Sequence, residues 1–179
     1  NTLNDVFVSL PPPKPSVVTS TYVPVSSMSS YNSSSNPCFM SHCTVLMASG
    51  ATKKVSDVQI GDVVVTLDRN VARVTHVLET IVNNVIPIVH FDNGLSITRW
   101  HPVLIDGIWK FPADILDEHY RVLKLTYCDK IYSFALDNSH VMIINGIKCI
   151  TLGHNIIDTV ASHDYFGSNK VLEDLTQLQ

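Results

Sequence analysis

The sequence has few charged residues and few cysteines, and both shortages exclude classes of protein. Charged side chains make up 16% of the 179 residues, and the formal net charge is -4. Lysine and arginine are scattered, so the chain lacks the concentrated basic face that phosphate binding requires, and we expect no nucleic-acid partner. The four cysteines form no C-x-x-C pair, which argues against a disulfide scaffold and against a zinc ribbon.

Long apolar runs are also missing. No uninterrupted segment approaches the roughly 20 apolar residues that a membrane-spanning helix needs, so no transmembrane segment is predicted. Hydrophobic residues still make up 45% of the chain, which suffices for the core of one medium-sized domain, and we expect a monomer. The chain begins at Asn1 rather than at Met, so we expect it to be a piece of a longer protein whose compartment the sequence does not identify.

Residues 1–37 differ in composition from the rest of the chain. They contain six of the nine prolines, ten serines and only two charged residues, Asp5 and Lys14. Such a segment buries too little apolar surface to offset the entropy lost when it becomes ordered. The composition therefore predicts a Pro/Ser-rich linker, or the end of an upstream segment, that precedes a domain spanning residues 38–179.

Short runs of β-branched and aromatic residues follow Cys38 and are separated by turn signals. The runs cover residues 44–47, 62–66, 85–91, 103–105, 108–109, 120–127, 131–136 and 141–144. Asp106-Gly107 and Asn145-Gly146 lie between such runs and are typical of tight type I′ hairpin turns. This spacing predicts an all-β domain, with a possible short helix near residues 170–175.

One cysteine, one threonine and two histidines could take part in a reaction in this all-β domain. Cys38 lies at the junction of linker and domain, Thr98 and His101 form a Thr-x-x-His pattern, and His140 follows later. A thiolate is a strong nucleophile, but it needs a neighbour that accepts its proton. Histidine exchanges protons near neutral pH, and a hydroxyl three residues earlier can orient the imidazole or a substrate amide. The pattern is therefore compatible with acyl chemistry.

Four motifs in this order extend the pattern. They are Cys38-Phe39 with Val45 seven residues on, Thr98-x-x-His101, the run 131–146 with His140 and Asn145-Gly146, and Thr151-Leu152-Gly153-His154. The first three resemble the Hint superfamily, which Hedgehog autoprocessing domains and inteins share. The fourth most resembles the Vint branch, whose Hint-like domains occur with von Willebrand factor A modules. The resemblance covers about residues 38–170.

This resemblance implies a horseshoe-shaped all-β fold that processes its own chain. Cys38 would attack the carbonyl of Pro37 and convert the amide into a thioester, an N-to-S acyl shift. His101 would protonate the departing amide nitrogen, Thr98 would hydrogen-bond near it, and His140 is a further candidate. The substrate would be the protein's own upstream polypeptide. The acyl acceptor would be water, an amine, a thiol or another protein, and no cofactor is expected.

Two differences from the family restrict the reactions that we expect of this domain. A splicing intein ends in His-Asn followed by Cys, Ser or Thr, whereas His154-Asn155 is followed here by Ile156. Only about 25 residues follow His154, whereas Hedgehog domains carry a sterol-recognition extension after this core. We therefore expect cleavage or acyl transfer, and neither full splicing nor sterol transfer.

Several alternatives stay open at this point. Cys38 could be a buried core thiol, as we expect of Cys43, Cys128 and Cys149, and His101 or His140 could have purely structural roles. Cys38, His101 and His140 could together bind zinc. At the level of the protein, the alternatives are a cysteine hydrolase that acts on other chains and a non-catalytic interaction module with a decayed site. The roles of Cys149, His154 and Asn155 are also open.

Overall fold

The fold is taken from a computed structural model that describes residues 36–116 and 121–178. The predicted linker, residues 1–37, therefore lies outside the described residues except for Asn36 and Pro37. The predicted strand at 120–127 begins at one residue, Tyr120, that is also outside them.

Eleven β-strands are present in the described part of the chain. The first six are β1 (Phe39–Met40), β2 (Thr44–Leu46), β3 (Thr52–Lys54), β4 (Val63–Val65), β5 (Val71–His90) and β6 (Ser96–Thr98). The other five are β7 (Val103–Ile105), β8 (Ile108–Lys110), β9 (Val122–Leu136), β10 (Val141–Ile144) and β11 (Ile147–Ile150). The all-β prediction is confirmed, and most of the predicted runs coincide with a strand.

The first sheet brings the start of the domain beside the end of β6. Its order is β4-β5-β6-β1-β9, and β5 also pairs directly with β9, so β5, β6, β1 and β9 form a closed ring. The short strand β1 lies between two partners, because Phe39 is opposite Ile97 on β6 and opposite Tyr132 on β9. Cys38, directly before β1, is therefore surrounded by backbone from both sides.

The second sheet has the order β3-β2-β10-β11-β7-β8, with antiparallel neighbours throughout. The hairpins β7–β8 and β10–β11 turn at Asp106-Gly107 and at Asn145-Gly146, and all four residues have positive φ angles. This is the conformation that type I′ turns require, so both predicted hairpins are confirmed. The chain passes from the first sheet to the second between β6 and β7, and His101 lies in that connection.

Two hydrophobic clusters fill the molecule. Cys43 and Cys149 belong to the larger one, and Cys38 and Cys128 belong to the smaller one, which continues under the C-terminal segment. All four cysteines are free and buried. The expected core thiols are thus located in the core, and Cys38 is buried as completely as they are.

The C-terminal helix α1 (Asn169–Leu178) covers the smaller cluster. Val171 and Leu175 are four residues apart and face that cluster, and Ser168 accepts the Lys170 N–H at 3.2 Å, as an N-terminal cap does. The Tyr165 hydroxyl donates to Asp174 on the helix at 2.6 Å. The expected short helix is therefore present. No helix among the described residues is long and apolar enough to cross a membrane.

Two strands are much longer than the sequence pattern indicated. Residues 85–90 of the first predicted run are only the end of β5, and residues 122–127 and 131–136, which belong to two predicted runs, lie in one strand, β9. The β5–β9 pairing contains register shifts between Val74 and His76 and between Ile81 and Asn84. Bulges of this kind break the alternation of buried and exposed residues, so the period-2 signal ends before the strand does.

Candidate active site

Cys38 is held by backbone and side-chain hydrogen bonds at the entrance to β1. It is fully buried. Its N–H donates to the Thr98 hydroxyl at 3.0 Å, and its carbonyl accepts the Thr98 N–H at 3.0 Å. Thr98 ends β6, the antiparallel neighbour of β1, so the pairing of these two strands places the hydroxyl beside the Cys38 amide.

The Thr98 hydroxyl spans the peptide bond between Pro37 and Cys38. Besides accepting the Cys38 N–H, it donates to the carbonyl of Asn36 at 2.5 Å. One buried side chain is therefore bonded to the residue before Pro37 and to the residue after it. The same contact fixes the orientation of the Pro37–Cys38 peptide relative to the core.

His101 is buried in the connection after β6 and links the two sheets. Its Nε2 lies 2.8 Å from the Ile150 carbonyl at the end of β11. A carbonyl only accepts hydrogen bonds, so Nε2 carries the proton. The other ring nitrogen, Nδ1, is buried and has no hydrogen-bond partner among the described residues. In a neutral imidazole with its proton on Nε2, Nδ1 presents a free lone pair.

Burial also fixes the charge state of His101 near neutral pH. Desolvation lowers the pKa of His101 to about 4, and the backbones of Ile150 and Cys38 only partly oppose that change. The Phe39 ring packs on the imidazole, with ring centroids 4.4 Å apart. His101 is therefore a neutral base at pH 7, next to the backbone of Cys38.

The Cys38 thiol is protonated at the same pH. Burial raises its pKa well above the usual range, and the neighbouring Cys128 acts in the same direction. The thiol cannot ionise by itself here, so any nucleophilic role depends on a base that removes its proton. The imidazole next to the Cys38 backbone is that of His101.

His140 lies on the far side of the site, in the turn before β10. Ser139 and His140 both have positive φ angles, and the His140 N–H lies 2.6 Å from the Asn138 carbonyl. Burial lowers the pKa of His140, with Asp137 opposing the change, and Nδ1 has no partner among the described residues. The position is that of a turn residue, and among the described residues no hydrogen bond joins His140 to Cys38.

His154 and His163 hold the irregular segment between β11 and α1. The His154 Nδ1 accepts the Ile156 N–H at 2.8 Å. The His163 Nδ1 accepts the N–H groups of Tyr165 and Phe166 at 3.1 and 3.0 Å. Desolvation lowers the pKa of both histidines to about 4. Both rings are therefore neutral acceptors that order the backbone of this segment.

A small cavity lies between that segment and the Pro37–Cys38 peptide. Its volume is about 20 Å³. Among the residues that line it are Pro37, Trp100, Thr151, His154 and His163. Pro37, which supplies the carbonyl of the Pro37–Cys38 peptide bond, is therefore part of the cavity wall.

The structure brings three of the four predicted site residues together. Cys38, Thr98 and His101 share one buried site, whereas the His140 carbonyl accepts the N–H of Thr151, a residue of the cavity wall beside Pro37. In the two described ranges, no group of three or more His, Cys, Asp and Glu side chains is arranged to hold a metal ion.

Sequence reasoning assigned no role to three residues at this site. Asn36 supplies the carbonyl that Thr98 binds, and Trp100 and Thr151 line the cavity. Trp100 lies inside the Thr98-x-x-His101 motif, and Thr151 begins the motif that ends at His154. Their positions in the sequence therefore indicate that both residues are near the site. Asn36 carried no such signal, because it acts through its backbone.

The two antiparallel sheets, with Cys, Thr and His buried where they meet, define a Hint-type domain. The chain belongs to the Vint family of Hint domains, because the model of that family matches residues 37–179. No curated protein matches the chain in sequence.

Solved structures with a similar fold include two inteins. The DnaB intein from Synechocystis sp. PCC 6803 aligns with a TM-score of 0.51 at 16% identity, over 65% of this chain and 99% of the intein. The gp41-1 intein aligns with a TM-score of 0.50 at 13% identity, over 65% of this chain and 99% of its own. At such low identity the similarity shows the fold alone.

Proposed function

We propose that this domain processes its own chain at the Pro37–Cys38 bond through an N-to-S acyl shift. The observation that carries the proposal is the Thr98 hydroxyl, which joins the Asn36 carbonyl and the Cys38 amide on either side of that bond. Membership in a Hint family is consistent with it, since the superfamily contains autoprocessing domains. The predicted boundary at residue 38 would then be a cleavage point as well as a domain boundary.

The chemistry begins with removal of the thiol proton. The Nδ1 lone pair of neutral His101 accepts the proton of Cys38 while Sγ attacks the carbonyl carbon of Pro37. The carbonyl carbon becomes tetrahedral, and the Thr98 hydroxyl keeps the amide in place. His101 then returns the proton to the nitrogen of Cys38, the C–N bond breaks, and Pro37 remains attached to Sγ as a thioester.

A thiol with a raised pKa can still react here because it is close to the carbonyl that it attacks. The nucleophile and its target are adjacent in one chain, and good alignment of this kind can contribute roughly 7–11 kcal/mol. An amide nitrogen is a poor leaving group, so the returned proton is what makes the bond breakable. The thioester would be resolved by water or by an external nucleophile, which gives cleavage or acyl transfer.

Intact mass spectrometry of residues 1–179 carrying a short upstream fusion tests this proposal. We expect scission between Pro37 and Cys38, accelerated by dithiothreitol and by hydroxylamine at high concentration, since both cleave thioesters. Cys38→Ala and His101→Ala should abolish it. Cys43→Ala is the matched control, because Cys43 is an equally buried free thiol that belongs to the other hydrophobic cluster. A folded wild-type chain that stays whole under every condition would refute the proposal and favour an interaction module.

A further inference from the structure

The cavity beside Pro37 is partly open to solvent and has mainly apolar walls. No Asp, Glu, Lys or Arg side chain lines it. Its apolar wall includes Trp100, Phe111, Ile150, Leu152, Val160 and Phe166. An opening of this kind accepts a group with an apolar body, and Pro37 in its wall is the residue that carries the thioester carbonyl after an acyl shift.

Two histidines line the cavity, but neither can act as a base there. The Nδ1 of His154 accepts the Ile156 N–H. The Nδ1 of His163 accepts the N–H groups of Tyr165 and Phe166. Both rings are neutral at pH 7, because burial lowers the pKa of each to about 4, so Nε2 carries the proton in each ring. A nucleophile that enters the cavity therefore finds no imidazole in its wall that can remove a proton.

This property of the wall distinguishes the possible acyl acceptors. Water and alcohols are weak nucleophiles unless a base removes a proton as they attack. A small thiol such as dithiothreitol can enter and cleave the bond, but its product is another thioester. A neutral amine attacks without prior loss of a proton and forms a stable amide. Because apolar surroundings lower the pKa of an ammonium group, the cavity also favours the reactive neutral form of an amine.

A polar groove adjoins the cavity and shares Ser162 and His163 with it. Asp164 is exposed in this groove and is the only Asp, Glu, Lys or Arg residue in its wall. The whole segment 151–168 contains one further carboxylate, Asp158, and no lysine or arginine. The surface next to the cavity is therefore complementary to a positively charged group and attracts it from solution.

We infer that the acyl acceptor is a lysine side chain of another polypeptide, which enters this cavity and receives the Pro37 acyl group. Among protein side chains, only lysine combines a primary amine with a long, unbranched apolar stem. The groove attracts its ammonium group, and the apolar wall accommodates the stem. The inference rests on the proposed function and specifies its last step as transfer that forms an isopeptide bond.

The atoms of this step balance without any further reactant. The ammonium group first releases one proton to the solution. The neutral lysine nitrogen then forms a bond to the carbonyl carbon of Pro37, and the bond from that carbon to the Sγ of Cys38 breaks. The electron pair of the broken bond goes to Sγ, which takes up one proton of the amine. The products are an amide between Pro37 and lysine and the free Cys38 thiol.

Competition between two acceptors tests this inference in residues 1–179 with a short upstream fusion. The folded protein is incubated with hydroxylamine and with Nα-acetyl-lysine methylamide, whose side-chain amine is its only amine. The readout is the ratio of lysine adduct to hydroxamate on the upstream fragment, measured by intact mass. Both products arise from the same thioester, so a defect in the acyl shift changes them equally and leaves the ratio unaltered.

Val160→Trp places a bulky ring in the cavity wall, where Val160 is half-buried. We expect the ratio to fall at least about tenfold, as for an overpacked contact, because hydroxylamine has no stem to accommodate. Thr159→Trp is the matched control and should keep the wild-type ratio. Thr159 is the exposed neighbour of Val160 and is not part of the cavity wall.

A comparison of two further amines needs no variant. Pentylamine reproduces the lysine stem, whereas neohexylamine has an amine of similar basicity on a chain that ends in a tert-butyl group. With the wild-type protein, we expect pentylamine to form at least about tenfold more adduct than neohexylamine at equal concentration. This outcome would show that the shape of the stem determines entry.

Different results overturn the two proposals. If even hydroxylamine forms no adduct at Pro37, the acyl shift is wrong, and this inference is wrong with it. If hydroxamate forms but the lysine derivative gives no adduct, only the inference is overturned. The same conclusion follows if neohexylamine reacts as well as pentylamine, or if a folded Val160→Trp protein keeps the wild-type ratio.

Discussion

At the scale of single residues, the Thr98 side chain holds the residues on both sides of Pro37. Its hydroxyl is bonded to both Asn36 and Cys38 in a fully buried position. Thr98→Val keeps the shape but leaves the Asn36 carbonyl and the Cys38 N–H without that partner. We expect a loss of about 1–3 kcal/mol in the free energy of unfolding, measured with urea. Cleavage induced by dithiothreitol should fall at least about tenfold.

Thr98→Ser is the matched control for this change. It retains the hydroxyl and removes only a methyl group, so it should cleave much faster than Thr98→Val. Equal cleavage by the two variants would mean that the hydroxyl does not hold the scissile peptide.

The lowered pKa of His101 predicts a specific dependence of stability on pH. Its pKa is about 4 in the folded protein and 6.5 as the reference value, so the unfolded chain binds the proton first. Stability is therefore unaffected by this group above about pH 6.5 and declines as the pH falls toward 4. Below pH 4 the accumulated loss is about 3 kcal/mol.

Urea unfolding at several pH values between 7 and 4 measures this effect. In His101→Gln, the decline should be shallower than in the wild type by up to about 1.4 kcal/mol per pH unit. An unchanged slope in His101→Gln would show that His101 is not buried as a neutral ring.

At the scale of secondary-structure elements, Gly153 limits how closely α1 approaches the end of the β-domain. Its φ angle is +67°, and a Cβ at this position would lie 2.6 Å from the Cγ of Leu172 on α1. Gly50 has a φ angle of +89° and nothing within 4 Å of such a Cβ. Substitution of Gly50 therefore measures only the free-energy cost of the left-handed backbone. Substitution of Gly153 adds the cost of displacing α1.

We expect Gly50→Ala to destabilise the protein by roughly 1–2 kcal/mol, the cost of a left-handed backbone for alanine. Gly153→Ala should cost about 1–3 kcal/mol more, because it also overpacks the contact with Leu172. Adding Leu172→Ala to Gly153→Ala should be less damaging than the sum of the single changes. Similar losses in both glycine variants, measured by urea unfolding, would contradict the contact.

The same scale explains which strands could be predicted from the sequence. Hairpins β7–β8 and β10–β11 depend on two residues each, Asp106-Gly107 and Asn145-Gly146, whose preference for positive φ is local. The full lengths of β5 and β9 depend on their pairing with each other, which is a non-local property. Bulges along that pairing disrupt the local alternation, so the sequence indicated only fragments of each strand.

At the scale of the whole molecule, the site was predictable only where a motif carries it. Cys38 and the Thr-x-x-His pair follow from residue types in a recognised order. The contribution of Asn36 is a backbone carbonyl, which any residue supplies, and the cavity between Pro37 and Thr151 depends on how the C-terminal segment covers the β-domain. Neither feature can be recognised from the types of residue in the sequence.

Whole-molecule burial also determines which peptide bond the Cys38 thiol can reach. Cys38 is fully buried and Asn36 is 2% exposed, so the thiol and the adjacent peptide are enclosed by the same fold. A peptide from another chain would have to displace the protein's own Asn36 and Cys38 from their bonds to Thr98. We therefore expect strictly intramolecular cleavage, with a first-order rate that does not depend on protein concentration.

Mixing two differently tagged chains tests this expectation against a cysteine hydrolase that acts on other proteins. One chain is the wild type, and the other is Cys38→Ala, which retains the fold and the upstream segment but lacks the nucleophile. The wild-type chain should be cleaved once at Pro37–Cys38 while the Cys38→Ala chain stays intact, as followed by intact mass. Cleavage of the Cys38→Ala chain, at a rate that increases with the amount of wild type, would show that the site opens to outside substrates, because only an exposed thiol could reach them.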